Sequence, residues 1–455
     1  MATYYLIRIS LIIVLSVILK AFVPPRVRDH VTPFFAGWIL FCETGFLTLP
    51  QWAIIVATFV NYIGMAFLLD GLDLKMMRKN GVLVAFLIFW GMLLASTLWG
   101  ADTPAAFAYY VYLLLDLSLV GFYLGMWVVR RPDGLERLLK TMVVFGFVVI
   151  VLLVLKREAL SGSLDDFEGR YAVSMESLGS RDMQDVNVNN FAVACSSILT
   201  ISLVFVFMQG MRSRHKIAWC LSLVNVIVSV VLIIRTGSRN GALGLLPCAL
   251  YALTARQRRS AWFAVVSNVL VIVGICIMVY FFTSDQGYLR AFDFSTARAS
   301  SIQGSVMNQI TSGRWNSFEA QISQMKGIDW LIGRGTVWAV YEAGANAVVW
   351  GALCIYVTVF VVSGSLGIFA MLCYFFATVR RSLQIGQMGR IALLMFAVWA
   401  ILGVGEGESL MRGYVIRLYQ GMSIAFCTRL CFRRPDECSC VTSSYGNYQH
   451  RGVFT

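Results

Sequence analysis

VLVAFLIFWGMLLASTLW, residues 82–99, runs without one charged side chain. As an α-helix it is about 27 Å long, close to the ~30 Å hydrocarbon thickness of a bilayer. The pattern recurs outward from it in both directions. Further apolar runs occupy residues 105–129, 142–155, 191–208, 217–234, 262–282 and 391–404, and 5–23, 52–69, 241–254, 346–379 and 414–431 read the same way. The span-length rule makes these roughly a dozen transmembrane helices. Residues 34–49 are shorter and interrupted by Glu43 and Gly45, so they read as a re-entrant or interfacial segment. Composition agrees: 58% of the 455 residues are hydrophobic and 13% are charged, against about 25% charged in a soluble domain. Alternating segments of about ten residues, which a membrane barrel requires, are absent. The expected fold class is an all-α polytopic membrane protein.

The formal net charge of +13 gathers in short connections: Lys75, Arg78 and Lys79; Arg130, Arg131 and Arg137; Arg212, Arg214 and Lys216; Arg256, Arg258 and Arg259; Arg380, Arg381 and Arg390; Arg433 and Arg434. Lys and Arg collect in cytoplasmic loops, which places these inside and the alternate connections outside, with both termini cytoplasmic. The charge is spread around a rim rather than forming one patch, so nucleic acid is not an expected partner. Arg26 and Arg28 depart from this scheme. They would be inside only if residues 34–49 span and the N-terminus is outside. The first apolar run lacks a small-residue cleavage site, so a removable signal peptide is not expected.

One long polar segment breaks the apolar chain. Residues 283–345 read TSDQGYLRAFDFSTARASSIQGSVMNQITSGRWNSFEAQISQMKGIDWLIGRGTVWAVYEAGA, with five basic and five acidic side chains. Long loops between compact elements are functional or disordered. Trp315, Phe318, Trp330 and Trp338 argue for order, since disordered segments are poor in aromatics. The expected organisation is an N-terminal transmembrane bundle over 1–282 with an outer loop at 156–189. The large outer loop at 283–345, transmembrane helices over 346–431 and a cytoplasmic tail at 432–455 follow.

Metal chemistry is not indicated. Seven of the eleven cysteines are isolated within apolar runs, where Cys packs as a small hydrophobe. Cys438 and Cys440 are too close for zinc spacing, and His30, His215 and His450 are far apart.

Three polar groups sit at outer ends of spans. Arg235-Thr-Gly-Ser238-Arg239-Asn-Gly241 joins two runs. Two guanidinium groups beside a helix start suit phosphate, because guanidinium binds its oxygens bidentately and the helix terminus adds backbone donors. The competing reading is that both arginines snorkel to headgroups. Asn187-Val-Asn189-Asn190 precedes another span, where one asparagine suffices as a cap and the others offer donors and acceptors for sugar hydroxyls. Arg170 adds an external cation in that loop. The long loop carries Ser312-Gly-Arg314-Trp315, Trp330-Leu-Ile-Gly333-Arg334-Gly335 and Glu342-Ala-Gly-Ala345-Asn346. Aromatics beside charges fit a carbohydrate-facing surface and fit interfacial anchoring equally well.

Asn187-x-Asn189, Ser238-Arg239-Asn-Gly-Ala, Ser-Gly-Arg314-Trp and Leu-Ile-Gly333-x-Gly335 follow one another in this order. The set resembles the O-antigen ligase/polymerase superfamily, which includes exopolysaccharide polymerases, over about residues 187–367. The resemblance implies a GT-C-like membrane glycosyltransferase in the bacterial inner membrane. It would work on the periplasmic face without cofactor or metal, joining oligosaccharide repeats carried on undecaprenyl diphosphate. A flippase and chain-length or export proteins are its implied partners, along with membrane lipid. Arg239 and Arg314 would hold the diphosphate and stabilise its departing charge. Arg170, Asn187, Asn189, Arg235, Ser238, Gly333, Gly335 and Asn346 would bind substrate.

One departure narrows the expectation. Ligases of this superfamily carry His-Asn where this chain has Ala345-Asn346, which favours a polymerase. Glu342 is the candidate general base, since a desolvated carboxylate has a raised pKa. A loop ion pair is an equal reading of it, and Glu319, Glu406 and Glu408 compete. A lipid-linked-substrate transporter is the alternative from another class.

Overall fold

Asn80 shows how the first apolar run becomes a helix: its side chain accepts a hydrogen bond from the Val82 N–H (3.0 Å), capping an otherwise orphaned donor. The computed structural model describes residues 2–45, 80–100, 103–131, 133–155, 188–208, 211–235, 239–255, 314–335, 338–341, 348–351, 354–405 and 415–428. Its helices are α1 (Ala2–Phe22), α2 (Pro25–Gly45), α3 (Gly81–Ser96, continued by a 3-10 turn Thr97–Trp99), α4 (Thr103–Leu113), α5 (Val120–Arg130), α6 (Gly134–Leu155), α7 (Val188–Phe207) and α8 (Met211–Arg214). Then come α9 (Lys216–Arg235), α10 (Arg239–Ala255), α11 (Arg314–Ser323), α12 (Asp329–Ile332), α13 (Ile355–Gln384), α14 (Gly386–Gly405) and α15 (Val415–Thr428). A π-helical turn, Leu114–Leu119, joins α4 to α5.

Among the described residues, five stretches are long and apolar enough to cross a membrane: Gly81–Trp99, Gly134–Val154, Lys216–Ile233, Ile355–Gln384 and Gly386–Gly403. Their exposed faces are apolar as well. On α13, Leu366, Phe369, Leu372, Phe376, Val379 and Leu383 are exposed at helical spacing, and α9 exposes Val224, Ile227 and Val231 in the same way. Water would penalise such stripes, whereas hydrocarbon accepts them. This is an α-helical membrane protein.

Inside the bundle, packing relies on small residues and aromatics. Gly121 and Gly125 on α5 form a G-x-x-x-G face against α15, and a side chain at Gly125 would meet Ala425 and Met422. Without a hydrophobic force between helices in lipid, such close approach supplies the van der Waals contact that holds them. Tyr374 of α13 stacks on Phe89 of α3 (6.3 Å) and meets Phe396 and Trp399 of α14 edge-on at 5.6 and 6.3 Å. Polar residues on α7 bond to their own helix: Ser196, Ser197 and Thr200 each donate to the carbonyl four residues back.

The ends of the bundle are sorted. Arg214 of α8 pairs with Glu136 of α6 (3.1 Å), Arg390 of α14 donates to the Thr254 carbonyl of α10 (3.0 Å), and Arg381 of α13 reaches the Cys427 carbonyl of α15 (3.4 Å). Asn80, beginning α3, donates to the Ile424 carbonyl (3.4 Å). The basic connections thus share one end, here the basic end.

Two elements differ from expectation. The segment read as re-entrant, 34–49, lies largely within the 21-residue helix α2, which packs its Phe34 and Phe41 rings against Phe145 of α6. The run 346–379 does not begin as a helix. Val348–Gly351 is strand β2, antiparallel to β1 (Trp338–Tyr341) with Trp338 opposite Gly351, and α13 starts only at Ile355. A short β-branched apolar run suits strand or helix alike, and pairing with residues from the polar segment decides it. The runs 52–69 and 262–282, all of 283–313, and residues 156–187 of the expected outer loop 156–189 lie outside the described residues.

Candidate functional site

Gly241 brings three of the expected site positions to one place. It is the third residue of α10, and a side chain there would meet Ala192 of α7 (2.6 Å) and Ile233 of α9 (3.2 Å). Ala192 is three residues past Asn189, Ile233 is two before Arg235, and Gly241 is two after Arg239. The start of α7, the end of α9 and the start of α10 therefore converge at the end opposite the basic connections. Arg239 is the first residue of α10 and Arg235 the last of α9, so both backbones flank a three-residue connection. One turn deeper, a side chain at Gly244 would meet Ser196 (2.9 Å) and Leu402 of α14 (3.2 Å). The junction offers a helix start and two guanidinium-bearing positions, a set matched in charge to a phosphate group.

The second assembly at this end is built from glycines. α13 is broken at Gly364, whose φ of 60° and ψ of −159° are not helical. The break frees carbonyls of the preceding turn, and the polar loop fills them. The Arg334 N–H donates to Val361 O (2.8 Å) and the Gly335 N–H to Val362 O (2.9 Å). Gly333, Gly335 and Gly364 all have positive φ, at 77°, 68° and 60°, a region that glycine enters without steric cost. A Cβ at Gly364 would collide with Leu331, one at Gly333 with Val362 and one at Gly335 with the Ser96 carbonyl. The end of α3 closes the interlock: the Trp99 indole N–H donates to Gly333 O (3.0 Å), and Gly100 abuts the Gly335 carbonyl. Ser365, which resumes the helix, donates to Trp330 O (2.8 Å).

Arg314 is the first residue of α11, which leads into this interlock. Gln321 and Met325 are buried beneath it, and the Arg334 guanidinium bonds to Gln324. Ile328, Trp330 and Leu331 are exposed, as are Leu98 and Trp99, an aromatic and aliphatic belt of the kind found at headgroup level. The end of α14 away from the basic connections lies between the two assemblies: Leu402 packs toward Gly244, while the Ala400 carbonyl accepts from the Tyr356 hydroxyl of α13 (2.8 Å).

Of the expected site positions, Asn189, Arg235 and Arg239 come together, and Gly333 and Gly335 are fixed against α13 by backbone contacts. Arg314 begins the helix docked beside that interlock, separate from the Gly241 junction. Arg170, Asn187, Ser238, Glu342 and Asn346 lie outside the described residues. Glu319 is exposed on α11. Trp99 and Gly100 are structural partners of the loop that the sequence alone did not single out, and Gly364, visible in the sequence as the first glycine of Gly364-Ser-Leu-Gly367, did not announce itself as a break in the helix. Their signal is faint: a tryptophan and glycine closing one apolar run, and a glycine within another. Among the described residues no group of His, Cys, Asp and Glu side chains could hold a metal ion. In comparisons with known proteins, no family model and no curated protein matches this chain.

Proposed function

We propose that this protein is a polysaccharide polymerase of the bacterial inner membrane, transferring a lipid-linked glycan from its undecaprenyl diphosphate carrier to a hydroxyl on a second lipid-linked repeat. The observation that carries the reading is the junction at Gly241. There the Asn189, Arg235 and Arg239 positions, separated in sequence, meet at the end of the bundle away from the basic connections. In this reading that end is periplasmic, the chain crosses the membrane roughly a dozen times, and the segment 283–345 covers the outer face.

The chemistry asked of the site is limited. The acceptor oxygen forms a bond to the anomeric carbon, the bond from that carbon to the diphosphate oxygen breaks, and the hydroxyl proton passes to a base. Without a metal, the departing diphosphate needs fixed positive charge, which Arg239 and Arg314 supply together with the start of α10. Glu342 directly follows β1 in the sequence, three residues before Ala345-Asn346, and is proposed as the base.

Broken transmembrane helices also occur in secondary transporters, where the break faces a substrate site. In α13 the break is filled by the backbone of residues 334 and 335, which leaves it a structural joint. A ligase would differ only in its acceptor.

Deletion of the gene, followed by analysis of lipid-linked glycans, is the test. Single repeats should accumulate, and Arg239→Ala and Arg314→Ala should each lower polymer yield by about a hundredfold or more, as removal of one transition-state donor does. Normal polymer length in both variants would overturn the site assignment. Full-length polymer missing only from lipid A core would make the protein a ligase.

A further inference from the structure

Polarity changes abruptly after Lys326. Ser323 and Lys326 are exposed, and the Lys326 N–H donates to the Asp329 carboxylate across a tight turn (3.0 Å). Within and beyond that turn, Ile328, Trp330 and Leu331 are exposed by 65%, 48% and 50%. Large apolar side chains gathered in this way on a surface mark a contact with a partner or a membrane.

The patch is continuous with faces that already meet hydrocarbon. Leu98, 68% exposed, ends the lipid-facing register of Val84 and Ile88 on α3. From Gly81 to Leu98 is about 26 Å of helix, nearly a full hydrocarbon thickness, so Leu98 and Trp99 reach the far boundary of that layer. The Trp99 indole bonds to Gly333, which ties this boundary to the segment. On α13, Ser365 donates to the Trp330 carbonyl (2.8 Å), and the Trp330 ring meets Phe360 edge-on (5.6 Å). The exposed stripe of α13 begins at the next residue, Leu366.

The backbone of the segment suits a layer poor in water. The N–H groups of Asp329, Leu331, Ile332, Gly333, Arg334 and Gly335 all reach carbonyls. The Trp330 and Gly333 carbonyls accept from Ser365 and Trp99. Irregular chain enters the edge of a bilayer only when its polar groups are answered within the protein.

We propose that residues 328–331 form a lipid-binding tip, seated among the upper acyl chains of the leaflet at the end away from the basic connections, beside α3 and α13. The occupant is bilayer lipid. A second copy of the chain fits less well, because helices associate in hydrocarbon through small residues, whereas this patch offers Ile, Trp and Leu. Tryptophan belongs to this boundary. Lipid thus presses from outside on the interlock that Gly333, Gly335 and Gly364 close from inside. The inference does not depend on the polymerase reading.

The test uses the unaltered full chain in nanodiscs of phosphatidylethanolamine and phosphatidylglycerol, doped with a phosphatidylethanolamine that carries a diazirine near the top of one acyl chain. After irradiation, trypsin releases residues 327–334 and 335–380 by cutting after Lys326, Arg334 and Arg380. Lipid adducts are expected on 335–380, which carries the α13 stripe, and also on 327–334. Moving the diazirine to the acyl terminus should lower the adducts on 327–334 by about fivefold and leave those on 335–380 within about twofold. Ile328→Asp combined with Leu331→Asp should lower the shallow adducts on 327–334 by a similar factor. If that variant fails to elute as a single species, the two probe depths on the unaltered chain decide alone. Adducts on 335–380 with none on 327–334 overturn the tip, and two chains per particle would then identify a second copy as the cover. Equal labelling of 327–334 by both probes overturns its depth. Label absent from both peptides overturns the lipid-facing assignment of α13 on which the tip rests.

Discussion

An alanine methyl at position 335 would enter the Ser96 carbonyl and the Gly100 backbone, neither of which is the free end of a side chain. The residue is also held at φ 68°, where a side chain is strained by about 1–3 kcal/mol. Overpacking adds a similar amount. Gly335→Ala should therefore cost about 3 kcal/mol or more, read as a large drop in thermal midpoint in detergent. Gly327 has a comparable φ of 51° with nothing within 4 Å of the place a Cβ would take, so Gly327→Ala should cost about 1 kcal/mol from strain alone. Equal shifts for the two would show that the interlock is not tight. The same comparison explains why Gly333 and Gly335 stood out as a motif while their task stayed hidden. A glycine pair in sequence announces unusual backbone, but not which carbonyls that backbone will meet.

Among elements, the contact of α5 with α15 is the one most dependent on small residues. Gly125→Leu would drive a side chain into Ala425 and the backbone of Met422. It should separate the two helices and abolish a stable monodisperse preparation. Gly91→Leu on α3 has open space within 4 Å and should stay within about 0.5 kcal/mol of the parent. If both variants elute alike, close packing does not hold α5 to α15. The apolar runs were readable because hydrocarbon imposes a length on every helix that crosses it. The π-helical turn at Leu114–Leu119 and the break at Gly364 were not, since each depends on neighbours: Gln420 and Gly421 in one case, Arg334 and Gly335 in the other. Of the site, Asn189, Arg235 and Arg239 were legible as polar residues at span ends.

For the whole molecule, α2 bears on the proposed count of crossings. Taken as a span, it carries the chain from Pro25 to Gly45 across the membrane, which puts Arg26 and Arg28 at the basic end with the other short cationic connections. With the proposed dozen other spans, the crossings would then number about thirteen, which would put the N-terminus on the side of the polar segment and the C-terminus on the basic side. A cysteine at Ala2 in an otherwise cysteine-free variant should react with an impermeant maleimide in intact spheroplasts, whereas one at Thr455 should need permeabilisation. Labelling of both only after permeabilisation would restore α2 to an interfacial position.

The joint at Gly364 also bears on how the protein is assembled. From Ser365 to Gln384 the helix has the length of one hydrocarbon layer, about 30 Å, so the break lies at the layer's edge. Segment 329–335 is synthesised before α13, yet its backbone partners, Val361 and Val362, emerge only afterwards. Insertion and closure are therefore successive events. A ribosome must deliver α13 into the lipid while its freed carbonyls are still answered by interfacial water, and only then can the waiting loop exchange that water for its own N–H groups. A chain interrupted before residue 355 would carry all of segment 329–335 and still lack the fixed ledge on which that segment closes.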